Sequence, residues 1–416
     1  MANLFTYYIQ VIFMTMIIAN HVWEVYLSRR QLDTYQKNFG KLPAEFQDFL
    51  SLEDHQKAIR YGSSKLTLTQ ITLVFDAIVL IYWFPMRGIE KLYMALPDVG
   101  SHKEVLFLLA FSGIQFLLHL PFSIYSTFSL EEKYGFNRST PKLFITDRLK
   151  GMALGLVVGV PLLYLVIFLY EKMGQWWWLA SFLALTAFQF ILVWLYPTYI
   201  APLFNKFRPL EEEELKNGIA GLVQNAGFNA KEVYVMDASK RSSHGNAYFT
   251  GFGKNKRVVF FDTLLNQLQT KEIMAILAHE LGHLKLKHIP KSLIASLVFS
   301  FIGFWVMGAL SNVNWFYQGH FVRIISPGIL FLLFMQAIPL YTFWISPIGS
   351  WISRKREFEA DAYAAKETDP ADLISGLLKL YQQNASPVVT DSVYAGFYYS
   401  HPPALERIKK LESFKS

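Results

Sequence analysis

The stretch EIMAILAHELGHLKLK, residues 272–287, decides how the polar middle of this chain folds. Its apolar residues recur at helical spacing and it contains no proline, so it predicts a helix. On a helix, His279 and His283 lie four positions apart on one face, where both can bind one metal ion. Glu280, beside them, can reach a water molecule on that metal. The pattern H-E-x-x-H is typical of zinc metallopeptidases, although three fixed letters also occur by chance.

The composition indicates a membrane protein. Of the 416 residues, 53% are hydrophobic and only 17% are charged, whereas soluble domains carry about 25% charged residues. The chain has no cysteine, which excludes disulfides and thiolate ligands and leaves His, Asp and Glu to hold any metal. A net charge of +7 is explained by basic loops that face anionic lipid, so we expect no nucleic-acid partner.

Seven apolar stretches are long enough to cross a hydrocarbon core, which takes about 20 residues. The first has no basic leader and no small-residue cleavage site, so it is interpreted as a retained span and not as a signal peptide. The predicted spans are Leu4–Tyr26, Leu66–Met86, Val105–Thr127, Met152–Tyr170, Trp177–Leu195, Ser292–Leu310 and Gly328–Ile345.

The basic residues of the connecting loops predict the orientation. The segments after the first and third spans carry seven and five Lys or Arg residues, whereas those after the second, fourth and sixth carry three, one and one. The positive-inside rule then places the H-E-x-x-H loop and the C-terminal segment together on the cytoplasmic side.

Polar residues inside the spans have two interpretations. A charged side chain facing lipid costs at least about 3 kcal/mol, so these residues either line a hydrated chamber or form hydrogen bonds between helices. The sequence leaves both open. The residues are His21, Glu24, Asp76, Gln115 and His119.

Between spans five and six the pattern predicts one small α+β domain. The proline-rich segment Tyr196–Leu210 is expected to leave the membrane as an irregular segment. An amphipathic helix, a strand, a turn with Gly251 and Gly253, a second strand and a short helix follow. Their predicted ranges are Glu211–Asn225, Glu232–Met236, Lys256–Asp262 and Thr263–Leu268.

The predicted organisation therefore has four parts. Residues 1–195 form spans one to five with basic loops, and residues 196–290 form the inserted domain with the H-E-x-x-H helix. Residues 291–346 form spans six and seven. Residues 347–416 form a C-terminal segment that completes the metal site.

A catalytic zinc needs a third protein ligand and an open position for water. His288 lies five positions after His283, about 140° around a continuous helix, and is interpreted as a non-ligand. Glu357 and Asp361 share a helix face; Glu357 can bind the metal while Asp361 accepts the ring N–H of a ligand histidine. Glu359 points elsewhere. Spacing alone leaves an ordinary charged helix face equally open, with basic residues as partners: Arg354, Lys355, Arg356 and Lys366.

Five ordered motifs resemble the integral-membrane CAAX prenyl endopeptidases, zinc proteases that act on prenylated peptides. The resemblance covers essentially the whole chain, and the count of seven spans agrees with it. The motifs are RSSHGNAYFTG (241–251), KNKRVVFFDTLL (254–265), AHELGH (278–283), SRKREFEAD (353–361) and HPPALERI (401–408).

The resemblance implies a role for each matching position. His279, His283 and Glu357 bind one zinc ion, Glu280 is the general base, and Asp361 orients a ligand histidine or relays a proton. His401 and Arg407 match groups proposed to stabilise the oxyanion. The segment with Asn246, Ala247 and Phe249 lines the substrate groove. The strand Lys256–Asp262 is the expected edge to which an extended peptide adds.

The implied fold is mainly α and polytopic. Seven transmembrane helices form a ring around a large intramembrane chamber, with an inserted α+β zinc metalloprotease domain of the gluzincin type. We expect a monomer whose partners are the lipid bilayer and peptide or protein substrates, prenylated or otherwise membrane-associated.

A tail without a retrieval signal favours a bacterial member in the inner membrane, and a eukaryotic member would lie in the endoplasmic reticulum. Two other functions are weighed: a quality-control membrane protease without lipid preference, and a transporter with structural zinc. Glu280 argues against the transporter, because a structural site has four protein ligands and needs no base.

Overall fold

The computed structural model describes residues 2–250 and 255–414. The chain is mainly helical, and in chain order the helices are α1 (Ala2–Asn38), α2 (Leu52–Trp83), α3 (Gly88–Ala95), α4 (Ser101–Tyr125), α5 (Glu132–Tyr134), α6 (Pro141–Lys172), α7 (Trp177–Leu195), α8 (Ala201–Phe204), α9 (Glu213–Asn225), α10 (Asp262–Gln267), α11 (Thr270–Lys285), α12 (His288–Leu310), α13 (Asn314–Gly319), α14 (Pro327–Thr342), α15 (Ser346–Glu367), α16 (Pro370–Gln383), α17 (Ser392–Tyr398) and α18 (Ala404–Glu412). The strands are β1 (Phe207–Pro209), β2 (Asn229–Met236), β3 (Ala247–Thr250) and β4 (Asn255–Phe261).

Seven helical segments of the described chain are long and apolar enough to cross a membrane, which confirms the predicted count. Their surfaces expose large apolar side chains such as Val157 and Phe299, 72% and 71% exposed, as helices that face lipid require. The segments are Leu4–Asn38, Leu52–Trp83, Ser101–Tyr134, Pro141–Lys172, Gly174–Phe204, His288–Leu310 and Pro327–Glu367.

Most of these segments are longer than the apolar stretches that predicted them. The first continues to Asn38 and the last to Glu367, well past the predicted ends at Tyr26 and Ile345. Hydropathy detects only the part of a helix that lies in hydrocarbon. The polar extensions instead pack against the inserted domain, since Tyr35 and Ala364 both belong to its hydrophobic core.

The prediction of an irregular segment over Tyr196–Leu210 was wrong. The chain stays helical through a π-helical turn, Tyr196–Ile200, and α8, and then forms β1. Pro197 lies at the start of the π-helical turn and Pro202 lies at the start of α8. Because proline donates no N–H, the run continues past them only with an altered hydrogen-bond pattern, which the π-helical turn provides. Pro209 ends β1, a strand at the edge of the sheet, which is where proline is tolerated.

The four strands form one mixed sheet with the order β1-β2-β4-β3. Strand β4 pairs parallel with β2 and antiparallel with β3, so the predicted role of Lys256–Asp262 as an edge strand was wrong. Val258, Val259 and Phe260 are buried on both faces, which is typical of a central strand. The edge strands are β1 and β3, and β3 is the edge next to β4. The predicted turn with Gly251 and Gly253 lies outside the described residues.

Two large hydrophobic cores hold the described part of the molecule together. One joins α9, β2, β4, α11 and α16 around the inserted domain, and the other packs α1, α4 and α14 around Phe13, Phe107 and Leu333. A cavity of about 590 Å³ lies between α4, α6, α7, α12 and α14.

Two of the polar residues singled out in the spans, Asp76 and His119, meet inside the helical bundle. His119 Nε2 lies 2.9 Å from Asp76 Oδ1, which pairs α4 with α2. Both side chains remain partly exposed, at 42% and 34%. This pair is therefore an interhelical hydrogen bond that also borders open space.

Candidate metal centre

Helix α11 presents the H-E-x-x-H sequence on a rigid support. Its first turn is closed by a capping box in which Gln269 and Glu272 each bind the other's backbone N–H, an arrangement that stabilises a helix start. Ile273, Leu277 and Leu281 bury one side of the helix in the core. His279 and His283 lie one turn apart, as their spacing requires.

A small residue lets the third candidate ligand come close. A Cβ on Gly282 would lie 3.0 Å from Ala360 Cα and 3.1 Å from Ala360 O, so α11 and α15 cross with backbone nearly in contact. Ala278, Ala360 and Ala364 are fully buried. Because larger side chains would separate the two helices, this packing is what brings Glu357 to the histidines.

The three candidate ligands converge on one point. His279 Nε2 lies 3.3 Å from His283 Nε2. The carboxylate oxygens of Glu357 lie 3.2 Å from His283 Nε2 and 3.4 Å from His279 Nε2. Tetrahedral ligands with bonds of about 2.0–2.1 Å lie about 3.3–3.4 Å apart. The observed separations therefore fit a shared ion.

The polar groups at this point also fit a cation. Glu357 Oε2 is buried and makes no hydrogen bond, which a native protein rarely leaves uncompensated. Burial and Arg407 favour a neutral His279 ring, but the neighbouring carboxylates of Asp361 and Glu357 prevail and raise its pKa. Within the described residues, His279, His283 and Glu357 are the one group of His, Asp or Glu close enough to hold a metal.

Asp361 and Arg407 contact the His279 ring at Nδ1, the nitrogen that faces away from the candidate metal position. Asp361 Oδ1 lies 2.8 Å from His279 Nδ1. Arg407 donates to both carboxylate oxygens, at 2.8 Å and 2.7 Å. Burial opposes the charge of Arg407, yet the carboxylate of Asp361 prevails and raises the pKa of the guanidinium. Asp361 thus lies where an orienting residue for His279 would lie. Arg407, which was expected to stabilise the oxyanion, instead makes its hydrogen bonds mainly to Asp361.

Glu280 separates two cavities beside the candidate metal position. A cavity of about 530 Å³ on the α12 side is lined by Glu280, His283 and Glu357 together with Gln189 of α7 and Leu293 of α12. A smaller one of about 120 Å³ extends from Glu280 and His279 toward Leu377 and Arg407. A carboxylate between two openings can meet both water and a peptide.

His401 borders the site from the C-terminal segment. Its side chain is 65% exposed, and Nε2 lies 3.5 Å from Glu357 Oε2. The ring thus faces the open side of the candidate metal position, where a substrate carbonyl would lie.

The predicted substrate-binding residues occupy different positions. Asn246 and Ala247 line the smaller cavity, and Asn246 Oδ1 accepts the N–H of Ala247 at the start of β3. Phe249 packs into the hydrophobic core of the inserted domain. The first two can therefore contact a bound peptide, whereas Phe249 shapes the sheet beneath it.

The sequence analysis assigned three residues no part in the metal site, and the structure places them around it. Arg354 donates to the carbonyls of Ala395, Gly396 and Tyr399, which holds the segment that leads into His401. His288 contacts both the His283 ring and Glu359. Arg354 and Glu359 lie in the charged motif 353–361, which was the available signal, but their partners come from other segments.

Comparison with known families matches both halves of the chain. Residues 31–206 match the CAAX prenyl protease N-terminal family of five membrane helices, and residues 209–415 match peptidase family M48. A CAAX prenyl protease 1 homolog of Arabidopsis thaliana is 36% identical, over 95% of each chain. CAAX prenyl protease 1 of Saccharomyces cerevisiae is 35% identical, over 95% of this chain and 93% of the yeast protein.

A solved structure has the same fold. The crystal structure of S. mikatae Ste24p superposes with a TM-score of 0.90 at 33% identity and covers 97% of this chain and 99% of its own. The predicted family, fold and enzyme class are thereby confirmed. The chain belongs to peptidase family M48, among the CAAX prenyl proteases, and is a multi-pass membrane metalloendopeptidase.

Proposed function

We propose that this protein uses one zinc ion to cleave prenylated peptides near their C-terminus, at the end of the bundle where α11 meets α15. The observation that carries the proposal is the convergence of His279, His283 and Glu357, with ligand atoms 3.2–3.4 Å apart. The substrate class, prenylated CAAX peptides, is proposed from the names of the relatives of this chain.

The residues divide the chemistry between them. His279, His283 and Glu357 hold the zinc, which when bound polarises a carbonyl and acidifies water. Glu280 takes a proton from the attacking water while the water oxygen bonds to the carbonyl carbon. Glu280 then gives that proton to the leaving amine as the C–N bond breaks. Asp361 keeps the His279 ring oriented throughout.

The developing negative charge on the carbonyl oxygen is met by His401 and Arg407. His401 is the better placed of the two, since its exposed ring lies 3.5 Å from Glu357. Arg407 lines the smaller cavity while bound to Asp361, so it contributes a nearby positive charge. Such preorganised donors stabilise charge that appears only in the transition state.

The free edge of β3 is the proposed peptide-binding strand. It begins at Ala247, which lines the cavity beside His279 together with Asn246. An extended peptide can add to this edge by backbone hydrogen bonds. The cavity of about 530 Å³ on the α12 side, where Leu293 and Ile289 lie among mainly polar lining residues, then offers space for a prenyl chain.

Glu280→Gln tests the mechanism. The variant keeps its zinc ligands but has no group to accept the proton, so we expect zinc to stay bound while cleavage falls at least 100-fold. Purified full-length protein is assayed for bound zinc and for peptide cleavage. Glu213→Gln, which changes an exposed acid on α9, serves as the matched control. Normal turnover by Glu280→Gln would contradict the proposed base.

The substrate class is tested by comparing a farnesylated CAAX peptide with its unmodified twin. We expect faster cleavage of the farnesylated peptide, through a lower KM, because burial of the chain contributes about 0.8 kcal/mol per CH₂. Equal rates would favour a general membrane protease without lipid preference.

We further propose that the protein acts as a monomer with its metal end in the cytoplasm, organised as the segments 1–195, 196–290, 291–346 and 347–416. A bacterial inner membrane stays a prediction. The chain has no cysteine, so a single cysteine at Lys409 or Lys103 can be labelled with a membrane-impermeant maleimide in intact cells. We expect labelling at Lys103 alone; the reverse result would invert the topology.

A further inference from the structure

His288 and Glu359 lie beside the candidate metal centre but have no part in the mechanism proposed above. His288 is the first residue of α12 and is 3% exposed. Glu359 lies on α15, between the candidate ligand Glu357 and Asp361. Spacing along one helix had placed both away from the ligands.

A break in the helix explains why His288 returns to the site. Lys287 has a positive φ of 57°, a conformation that ends α11 and redirects the chain into α12. The expected rotation of about 140° from His283 applies only to a continuous helix. With the break, the ring of His288 packs edge-on against that of His283, with centroids 5.1 Å apart.

Metal binding at Nε2 of His283 would set one direction for two hydrogen bonds. His283 Nδ1 lies 3.0 Å from His288 Nδ1, and His288 Nε2 lies 3.0 Å from Glu359 Oε2. A ligand histidine that binds through Nε2 carries its proton on Nδ1. His283 therefore donates to His288 Nδ1. The proton of His288 is then on Nε2, and it is donated to Glu359.

We infer that His288 and Glu359 are positioning residues which hold the His283 ring in its metal-binding tautomer and orientation. The inference rests on the proposed function, because it takes His283 to be a zinc ligand. Ligand histidines usually donate their second N–H to such a partner, and loss of the partner weakens metal binding about 10–100-fold. Here the acceptor is a second imidazole, which passes the interaction to a carboxylate.

A purely structural role for His288 predicts a different result. A buried imidazole at the start of α12 also fills space, and its loss would lower the unfolding temperature without changing the affinity for metal. Zinc affinity and the spectrum of a bound metal distinguish the two roles, since neither responds to packing that leaves the ligands in place.

The test compares two substitutions of His288 in the full-length protein. His288→Leu fills the space but accepts no hydrogen bond, and we expect its Kd for zinc, measured by chelator competition, to rise about 10–100-fold. His288→Asn can accept from His283, and we expect it to stay within about threefold of wild type. With cobalt in place of zinc, the visible spectrum should change in the Leu variant and be restored in the Asn variant.

His320→Leu is the matched control, since His320 is also 3% exposed but packs against Phe13 and Phe316 away from the ligands. It should lower the unfolding temperature and leave the zinc Kd unchanged. An unchanged Kd in His288→Leu, or an equal rise in both His288 variants, would overturn the inference. Absence of zinc binding by the wild-type protein would instead overturn the proposed function, and the inference with it.

Discussion

The two candidate histidine ligands are supported in contrasting ways. His279 contacts a carboxylate directly, at 2.8 Å, and Asp361 is fully buried against Arg407, whose side chain is 8% exposed. His283 reaches its carboxylate through His288, and the side chain of Glu359 is 43% exposed. Charges interact more strongly where water is excluded. The His279 side of the site is therefore expected to dominate both folding and metal affinity.

The largest effect is expected from Asp361→Ala. The change leaves Arg407 buried without its partner, which costs about 3–5 kcal/mol for a broken buried pair. It also frees the His279 ring, so zinc affinity should fall at least 10-fold. Thermal unfolding and chelator competition measure the two losses. A stable variant with unchanged zinc affinity would remove the contrast between the two sides.

Asp361→Leu combined with Arg407→Leu separates folding from orientation. Replacing both members of a buried ion pair with apolar residues is often neutral for stability, so the unfolding temperature should largely recover. Zinc affinity should not recover, because His279 still has no acceptor for its Nδ1–H. Recovery of both properties would mean that Asp361 acts on the metal site only through the fold.

Removal of the metal should show an intermediate effect. At a free zinc concentration 100-fold above the Kd, binding stabilises the wild-type protein by about 2.7 kcal/mol, and chelation removes that amount. In His288→Leu, a Kd raised about 30-fold would leave about 1 kcal/mol at the same zinc concentration. Unfolding temperatures with and without a chelator give both values. Identical shifts in the two proteins would argue that the His283 side contributes nothing.

The smallest effect is expected from Glu359→Gln. The amide oxygen can still accept the Nε2–H of His288, and the carboxylate that it replaces is partly exposed to solvent. Zinc affinity should therefore change by less than about fivefold, since half-exposed charges contribute about 1 kcal/mol or less. A loss as large as that of Asp361→Ala would show that burial does not set the difference between the two sides.

Local patterns predicted the parts of the molecule that depend on neighbouring residues. Helical periodicity located α11, and apolar length located seven spans. Apolar length fails where a helix leaves the membrane, because the helices continue into polar segments that pack on the inserted domain. The apolar run Val258–Phe260 likewise does not show whether β4 is a central or an edge strand. The helix ends just before Lys287, where the break is made by neither a glycine nor a proline, so the approach of His288 was not predicted.

The sequence by itself determined the helical spacing of His279, Glu280 and His283 and the number of spans, because both follow from contacts within a few residues. The tertiary structure decided which distant groups reach that helix. Asp361 is 82 positions from His279, and Arg407 is 46 from Asp361. Glu357 meets the histidines only because Gly282 and Ala360 let two helix backbones approach. Close packing between remote segments, which no local pattern encodes, completes the site.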